Sequence, residues 1–308
     1  MSSVLNEARF QSEEAAFAYV EAHVWPEGRV CPHCGVINDS GALKGKTNRV
    51  GLYKCYACRK PFTVKVGTIF ESSHVKLHLW LQAMHLVCSS KKGISANQLH
   101  RTLGVTLKTA WFMGHRIREA MRVGGFSPLG GEGKTVEVDE TFIGRKQGAV
   151  VRAGAGHKNA VLTLVERGGP ARSFHIDGAT VASIAPLVRG NLARESHLMT
   201  DEASHFTRLG REFAAHDTVD HSRDEYGWTD RKTGFNANTN TVEGYYSMFK
   251  RGMKGVYQHC QEKHLHRYLA EFDFRYSNRV KLGVDDVARA DRALKGVVGK
   301  RLTYQTIN

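Results

Sequence analysis

Four cysteines constrain this chain more than any other feature. Cys31, Cys34, Cys55 and Cys58 form two C-x2-C pairs with 20 residues between them. Each pair offers two soft thiolates from one tight turn, and two such turns complete a tetrahedral shell for zinc. The chain has six cysteines, of which Cys88 and Cys260 are isolated, and no signal-type apolar segment is read behind its first residues. A reduced setting is therefore expected, and with it a metal cluster rather than disulfides. His33 lies inside the first turn, but the four-cysteine shell is complete without it. Such a closed shell has no open position, so the zinc should organise a small β-ribbon and perform no chemistry.

The charge balance points to a polyanionic partner. Across 308 residues, 44 Lys and Arg face 30 Asp and Glu, a formal charge of +14. Nucleic acid suits this excess. A membrane is disfavoured because no apolar run of about 18 residues occurs, and the expected location is the cytoplasm. Around the cysteines, Arg29, Lys44, Lys46, Arg49, Lys54, Arg59, Lys60 and Lys65 are interleaved with Tyr53, Tyr56 and Phe62, as in a ribbon that contacts phosphates.

Periodicity divides the rest. Ser12 caps a helix over 13–23, and an N-terminal helical segment is assigned to 1–28, with the ribbon at 29–70. Leu77, Trp80, Leu81, Met84 and Val87 recur at helical spacing. After them, Ser95 caps a short helix ending at Leu103, Gly104 makes a turn, and a second helix runs over 107–121. This is the spacing of a helix-turn-helix, which defines a DNA-binding region at 71–124 with Ile94, Leu99, Leu103, Val105 and Ala110 as its core. Thr106, Lys108, Thr109 and Arg116 are expected to face the major groove of double-stranded DNA. A glycine-rich stretch at 124–133 reads as a linker. Beyond it, five strands are expected at 135–143, 157–166, 171–176, 197–200 and 217–221, with a helix over 179–189 before the fourth. Long helices follow at 241–251 and 263–278, which together make an α/β domain over 134–280 and leave a polar tail at 281–308 with a weak helical pattern from Val284.

Three carboxylates stand at informative places in that domain. Asp139 lies inside an apolar strand, Asp201 ends another, and Glu243 begins a helix, with separations of 62 and 42 positions. A carboxylate within a buried strand is costly unless it meets a cation, and hard divalent ions prefer carboxylate oxygens. Two adjacent parallel strands and a helix across their ends would bring the three together to hold two magnesium or manganese ions, a site suited to in-line displacement at phosphorus. Glu137 and Glu140 are expected on the opposite strand face and are not assigned as ligands. Lys250 falls seven residues after Glu243 on the same helical face, where it would hold a phosphate. His221 is expected beside the scissile DNA or a metal-bound water.

These motifs carry a resemblance. The cysteine quartet, Gly67-Thr-Ile-Phe70, Val138-Asp-Glu-Thr-Phe-Ile-Gly144, Thr200-Asp-Glu202 and Asn240-Thr-Val-Glu-Gly244 resemble the ISXO-type insertion-sequence transposases, as do Phe249 to His259 and Tyr268 to Arg279. The one departure noted is Arg145, where a second glycine is common. The resemblance implies an RNase H-like catalytic domain behind the ribbon and helix-turn-helix, with Asp139, Asp201 and Glu243 as the catalytic triad. It further implies strand cleavage and strand transfer on DNA. The partners would be terminal inverted repeats and target DNA, met by a homodimer. Two alternatives stay open at this point. One is a DNA-binding regulator without catalysis, and the other is an RNase H-like nuclease that hydrolyses strands without joining them.

Overall fold

The computed structural model describes residues 3–45, 48–122, 127–220 and 227–303. The chain forms two compact units, Met1–Arg122 with Asp285–Asn308, and Val123–Val284.

The first unit begins with α1 (Ala8–Gln11) and α2 (Glu13–Val24), the latter capped by the Ser12 hydroxyl, which accepts from the Ala15 amide. Three short antiparallel strands follow in the order β1 (Ser40–Ala42), β2 (Tyr53–Cys55) and β3 (Pro61–Phe62). Their small core is Cys31, Tyr53, Cys55 and Phe62, with Trp25 edge-on to Tyr53 and Phe62 at 6.2 and 5.9 Å. Two of the aromatics expected on a nucleic-acid face therefore pack inside the ribbon. Tyr56 alone of the three stays out, at 59% exposure.

Helix α3 (Leu77–Ser89) starts on a borrowed cap, since the Glu13 carboxylate accepts from the Leu77 amide at 2.7 Å. Its first amides have no partner within the helix, and an anion at that end satisfies both hydrogen bonding and the helix dipole. Next come α4 (Ala96–Leu103), capped by Ser95, and α5 (Leu107–Met121), capped by Thr106. Gly104 between them takes φ +66°, a left-handed conformation that strains a side chain with a Cβ. Ile94, Leu99, Leu103 and Ala110 are buried as expected, with Val105 half-buried.

The second unit is a mixed five-stranded sheet in the order β6-β5-β4-β7-β8. Its strands are β4 (Thr135–Ile143), β5 (Asn159–Glu166), β6 (Ala171–Ile176), β7 (His197–Asp201) and β8 (Ala215–Val219). The first three are antiparallel neighbours, whereas β7 and β8 run parallel to β4. Helices cover both faces. On one side, Ile184, Ala185 and Val188 of α6 (Val181–Asn191) and Phe206 and Leu209 of α7 (Ser204–Gly210) pack on Val136, Val138 and Leu162. On the other, Val242, Tyr245, Tyr246 and Phe249 of α8 (Asn240–Gly252) and Leu269 and Phe272 of α9 (Leu265–Ser277) pack on Ile143, Val161 and Val165. This double covering explains why every residue of β5 is buried, which alternation alone would not foretell. A two-stranded hairpin, β9 (Trp228–Thr229) with β10 (Asn236–Ala237), leads into α8. Its strands are too short to leave a period in the sequence.

The segment read as a tail carries α10 (Asp286–Lys295), which belongs to the first unit and packs on α3. There Arg289 Nη1 donates to the Cys88 carbonyl at 2.8 Å. Beyond it the chain pairs with the Gly67-Thr-Ile-Phe70 motif, where the Ile69 amide donates to Val297 O and the Gly299 amide to Gly67 O. Among the described residues, no helix is long and apolar enough to cross a membrane.

Candidate functional site

The four cysteines converge. Their sulfur atoms all lie within 4.8 Å of one another, with Cys31–Cys58 and Cys34–Cys55 both at 3.7 Å. A tetrahedron with bonds of about 2.3 Å has edges of roughly 3.8 Å, which the two 3.7 Å pairs match, so the quartet suits zinc. Local backbone explains the convergence. The Gly35 amide returns to Cys31 O and the Cys31 amide takes Val36 O, which closes the first turn, and Cys55 N to Lys60 O closes the second. Burial opposes ionisation of Cys31, but the amides of His33 and Cys34 and the neighbouring thiols outweigh it and bring the thiol down to about 7. His33 turns outward, with Nε2 3.3 Å from Pro61 O. Among the basic residues around the ribbon, Lys44, Arg49, Arg59 and Lys60 are exposed, whereas Arg29 lies over the Tyr53 ring at 3.6 Å and Lys65 donates to Ser73 O at 2.7 Å. Lys46 falls outside the described residues.

In the second unit, β4 and β7 pair as Thr135 with His197, Val136 with Leu198 and Glu137 with Met199. This pairing ends two residues short of Asp139 on β4 and of Asp201 on β7. Burial chiefly, then Asp201, Glu140 and Glu243, raise the Asp139 carboxyl to about 7 against the opposing bond from the Glu140 amide. Asp201 is raised as well, first by burial and then by Glu140 and Glu202, although the Ala203 amide and His205 pull the other way. Glu243 sits in the first turn of α8, where the Thr239 hydroxyl donates to Oε1 at 2.8 Å. Helix and strand are tied directly, since the Tyr246 hydroxyl donates to Asp139 O at 2.6 Å. Among the described residues, the three carboxylates are not gathered within the 4.8 Å that the cysteines achieve. Asp139 is the one whose carboxyl feels the charge of both others.

Lys250 leans over Tyr246, with Nζ 5.8 Å from the ring centre, and so lies on the α8 face that meets β4. His221 lies outside the described residues. Thr106, Lys108 and the start of α5 are exposed, with Thr106 serving as the helix cap through its bond to the Thr109 amide. Arg116 is a correction. Expected in a DNA groove, it is only 5% exposed and its guanidinium donates to the carbonyls of Ile69 at 2.6 Å, Glu71 at 2.8 Å and Leu302 at 3.2 Å. Helix α5 is buried on nearly all sides from Met113 onward, so only its first turn is available to a ligand.

Glu137 is a second correction. Two residues before Asp139 on a strand, it shares that residue's face. It is fully buried, accepting from Arg167 Nε at 2.7 Å and from the Val242 amide at 2.9 Å. Glu140 does point to the other face, where it meets His205 Nε2 at 3.2 Å. That bond chiefly raises the His205 pKa. The sequence carries a signal for Glu137, a glutamate between valines in an apolar strand, which must have a partner. It carries none for Arg167 or His205, whose partners lie 30 and 65 residues away.

Comparison with known proteins adds three findings. Residues 128–277 match the family model of an ISXO2-like transposase domain, and residues 11–61 match that of a transposase zinc-ribbon domain. An uncharacterized protein in transposable element ISH50 of Halobacterium salinarum is 25% identical over 283 residues, which cover 86% of this chain and 91% of that protein. A chain in the structure of a simian T-cell lymphotropic virus intasome in complex with PP2A regulatory subunit B56 gamma aligns at 15% identity with a TM-score of 0.29. That alignment covers 57% of this chain and 63% of the other, under two thirds of its length, and a likeness so slight carries no argument.

Proposed function

Because residues 128–277 match an ISXO2-like transposase domain and residues 11–61 a transposase zinc ribbon, we propose that the chain is a transposase that binds the ends of an insertion element and catalyses metal-dependent strand cleavage and strand transfer. The observation that carries this reading is the placement of Asp139 and Asp201 on adjacent parallel strands, together with the bond from Tyr246 of α8, the helix that bears Glu243, to Asp139 O. The strand order, with β5 alone running against its neighbours β4 and β6, supports an RNase H-like fold for the second unit.

Three carboxylates would form a hard, anionic donor set that suits magnesium or manganese. Asp139, Asp201 and Glu243 would hold two such ions, which supply activation of the attacking water or DNA 3′-hydroxyl and stabilisation of the leaving oxygen. Lys250 adds a positive charge two helical turns beyond Glu243 and would hold a phosphate of the strand being cut. The ribbon, with Arg59, Lys60 and Tyr56 exposed, and the α4–α5 pair acting as a helix-turn-helix would bind the terminal inverted repeats. On α5 that role falls to Thr106, Lys108 and Thr109 at its start. A homodimer on DNA would process both ends and join them to target DNA.

Strand transfer of pre-cleaved ends, assayed in magnesium and in manganese, tests the reading. Asp139→Asn and Asp201→Asn should abolish joining and leave DNA binding intact, and Glu243→Gln should impair joining. Near wild-type joining by either aspartate variant would overturn the assignment, and a loss confined to DNA binding would favour a regulator.

A further inference from the structure

Glu137 presents a problem that its burial makes sharp. A carboxylate with no exposed surface is retained inside a β-strand, where an apolar pair of equal volume would be as stable or more so. Its two oxygens are both engaged: Oε1 accepts from Arg167 Nε at 2.7 Å, and Oε2 accepts from the Val242 amide at 2.9 Å. Val242 immediately precedes Glu243 in the first turn of α8, where backbone amides lack partners within the helix and the dipole favours an anion. The other nitrogens of Arg167 reach the segment that feeds this helix. Nη1 donates to Asn236 O and Nη2 to Asn238 O, both at 2.7 Å. A planar fork with donors on fixed vectors holds two carbonyls and a carboxylate at once, which a lysine cannot do.

One ion pair thus joins four places: the strand two residues from Asp139, the loop after β5, the segment from β10 to α8, and the amide beside Glu243. We propose that Glu137 and Arg167 are positioning residues that set where α8 begins and therefore where Glu243 stands relative to Asp139. Glu137 is given no ligand role, since its side chain has no exposed surface and each oxygen already accepts from a donor. The inference rests on the reading of Asp139 and Glu243 as metal-holding groups.

The test uses full-length, zinc-loaded protein carrying Glu137→Gln, Arg167→Lys or both, with Asp139→Asn beside them. Gln keeps the shape of Glu137 but turns one acceptor into a donor. Lys keeps the charge of Arg167 but cannot span both carbonyls. Manganese binding is measured by calorimetry without DNA, and hydrogen exchange is followed at the amides of 238–244. Loss of a residue that orients metal ligands lowers metal affinity by about 10- to 100-fold. Each single variant should show a loss of that order together with faster exchange confined to the start of α8, and the double variant should be no worse than the worse single, because the two act as one unit. Wild-type manganese affinity in both single variants, with only a lower melting temperature, would make the pair merely structural and overturn the proposal. Glu137→Gln abolishing binding as fully as Asp139→Asn while Arg167→Lys leaves it intact would make Glu137 a ligand, which also overturns it. If Asp139→Asn itself binds manganese like the wild type, the metal-site reading fails and the positioning role falls with it. Failure of the clamp alone is recognised by loss in Asp139→Asn and none in the other two.

Discussion

Replacing Asp139 by asparagine should stabilise the magnesium-free protein above neutral pH while it destroys strand transfer. Burial, then Asp201, Glu140 and Glu243, raise this carboxyl from an ordinary 3.8 to about 7, against the Glu140 amide. A raised acid binds its proton more tightly in the folded state than in the unfolded one. Stability is therefore greatest below the unfolded value and is lost as pH climbs from near 4 to near 7, with the full cost present above that. At 1.36 kcal/mol per pH unit, the span corresponds to at most roughly 4 kcal/mol. Asparagine keeps an oxygen for the Glu140 amide and carries no charge, so it escapes the penalty. For a unit of this size, each kcal/mol moves the midpoint by about 2–4 °C, so at pH 8 the variant should melt several degrees higher, by up to about 16 °C. The gap should narrow steadily toward pH 4. Magnesium should raise only the wild type, by about 2.7 kcal/mol at 100 times its dissociation constant. Calorimetric scans from pH 4 to 8 on zinc-loaded protein, following the transition of the second unit, provide the measurement. A gap that stays constant with pH, or a variant that melts below the wild type at pH 8, refutes the argument that Asp139 is held as a costly charge.

Three further outcomes follow from the first unit. Cys55→Ser should remove the single zinc expected per chain and unfold the ribbon, because closing a four-thiolate shell is part of the folding energy; stoichiometric zinc retained by the variant would count against the site. Lys108→Ala should weaken binding to DNA ends and lower the slope of log affinity against log salt by about one, whereas Arg116→Ala should leave that slope unchanged and cost on the order of 3 kcal/mol by stripping three carbonyls of their donor. A reversal of those two phenotypes in salt-dependent binding and melting would restore Arg116 to the interface. Truncation after Val284 should make the first unit more sensitive to proteolysis, since it removes the buried Ala293, Leu294 and Val297 from beside α3; an unchanged digestion rate would show that α10 is dispensable.

Features governed by near neighbours were legible in the sequence. The spacing of four cysteines is a local chelate geometry, and the structure places their sulfurs within 4.8 Å. Ser12 and Ser95 cap helices where their hydroxyls meet amides three residues on, and Gly104 turns the chain because its φ is positive. Periodicity likewise placed the central strands and the helix that bears Glu243, since each buries a face repeated within a few residues. Other features were settled by groups far apart in the chain. Arg116 looks like any exposed basic residue until the carbonyls of Ile69, Glu71 and Leu302 enclose it. The last segment looks polar, yet α10 joins the first unit because α3 offers it an apolar face. The partners of Glu137 lie 30 and 105 residues away. A buried charge announces in the sequence that a partner must exist, because its desolvation would otherwise be prohibitive. Which residue supplies that partner depends on sheet order, strand register and the path of the chain into α8, and only the tertiary structure decides these.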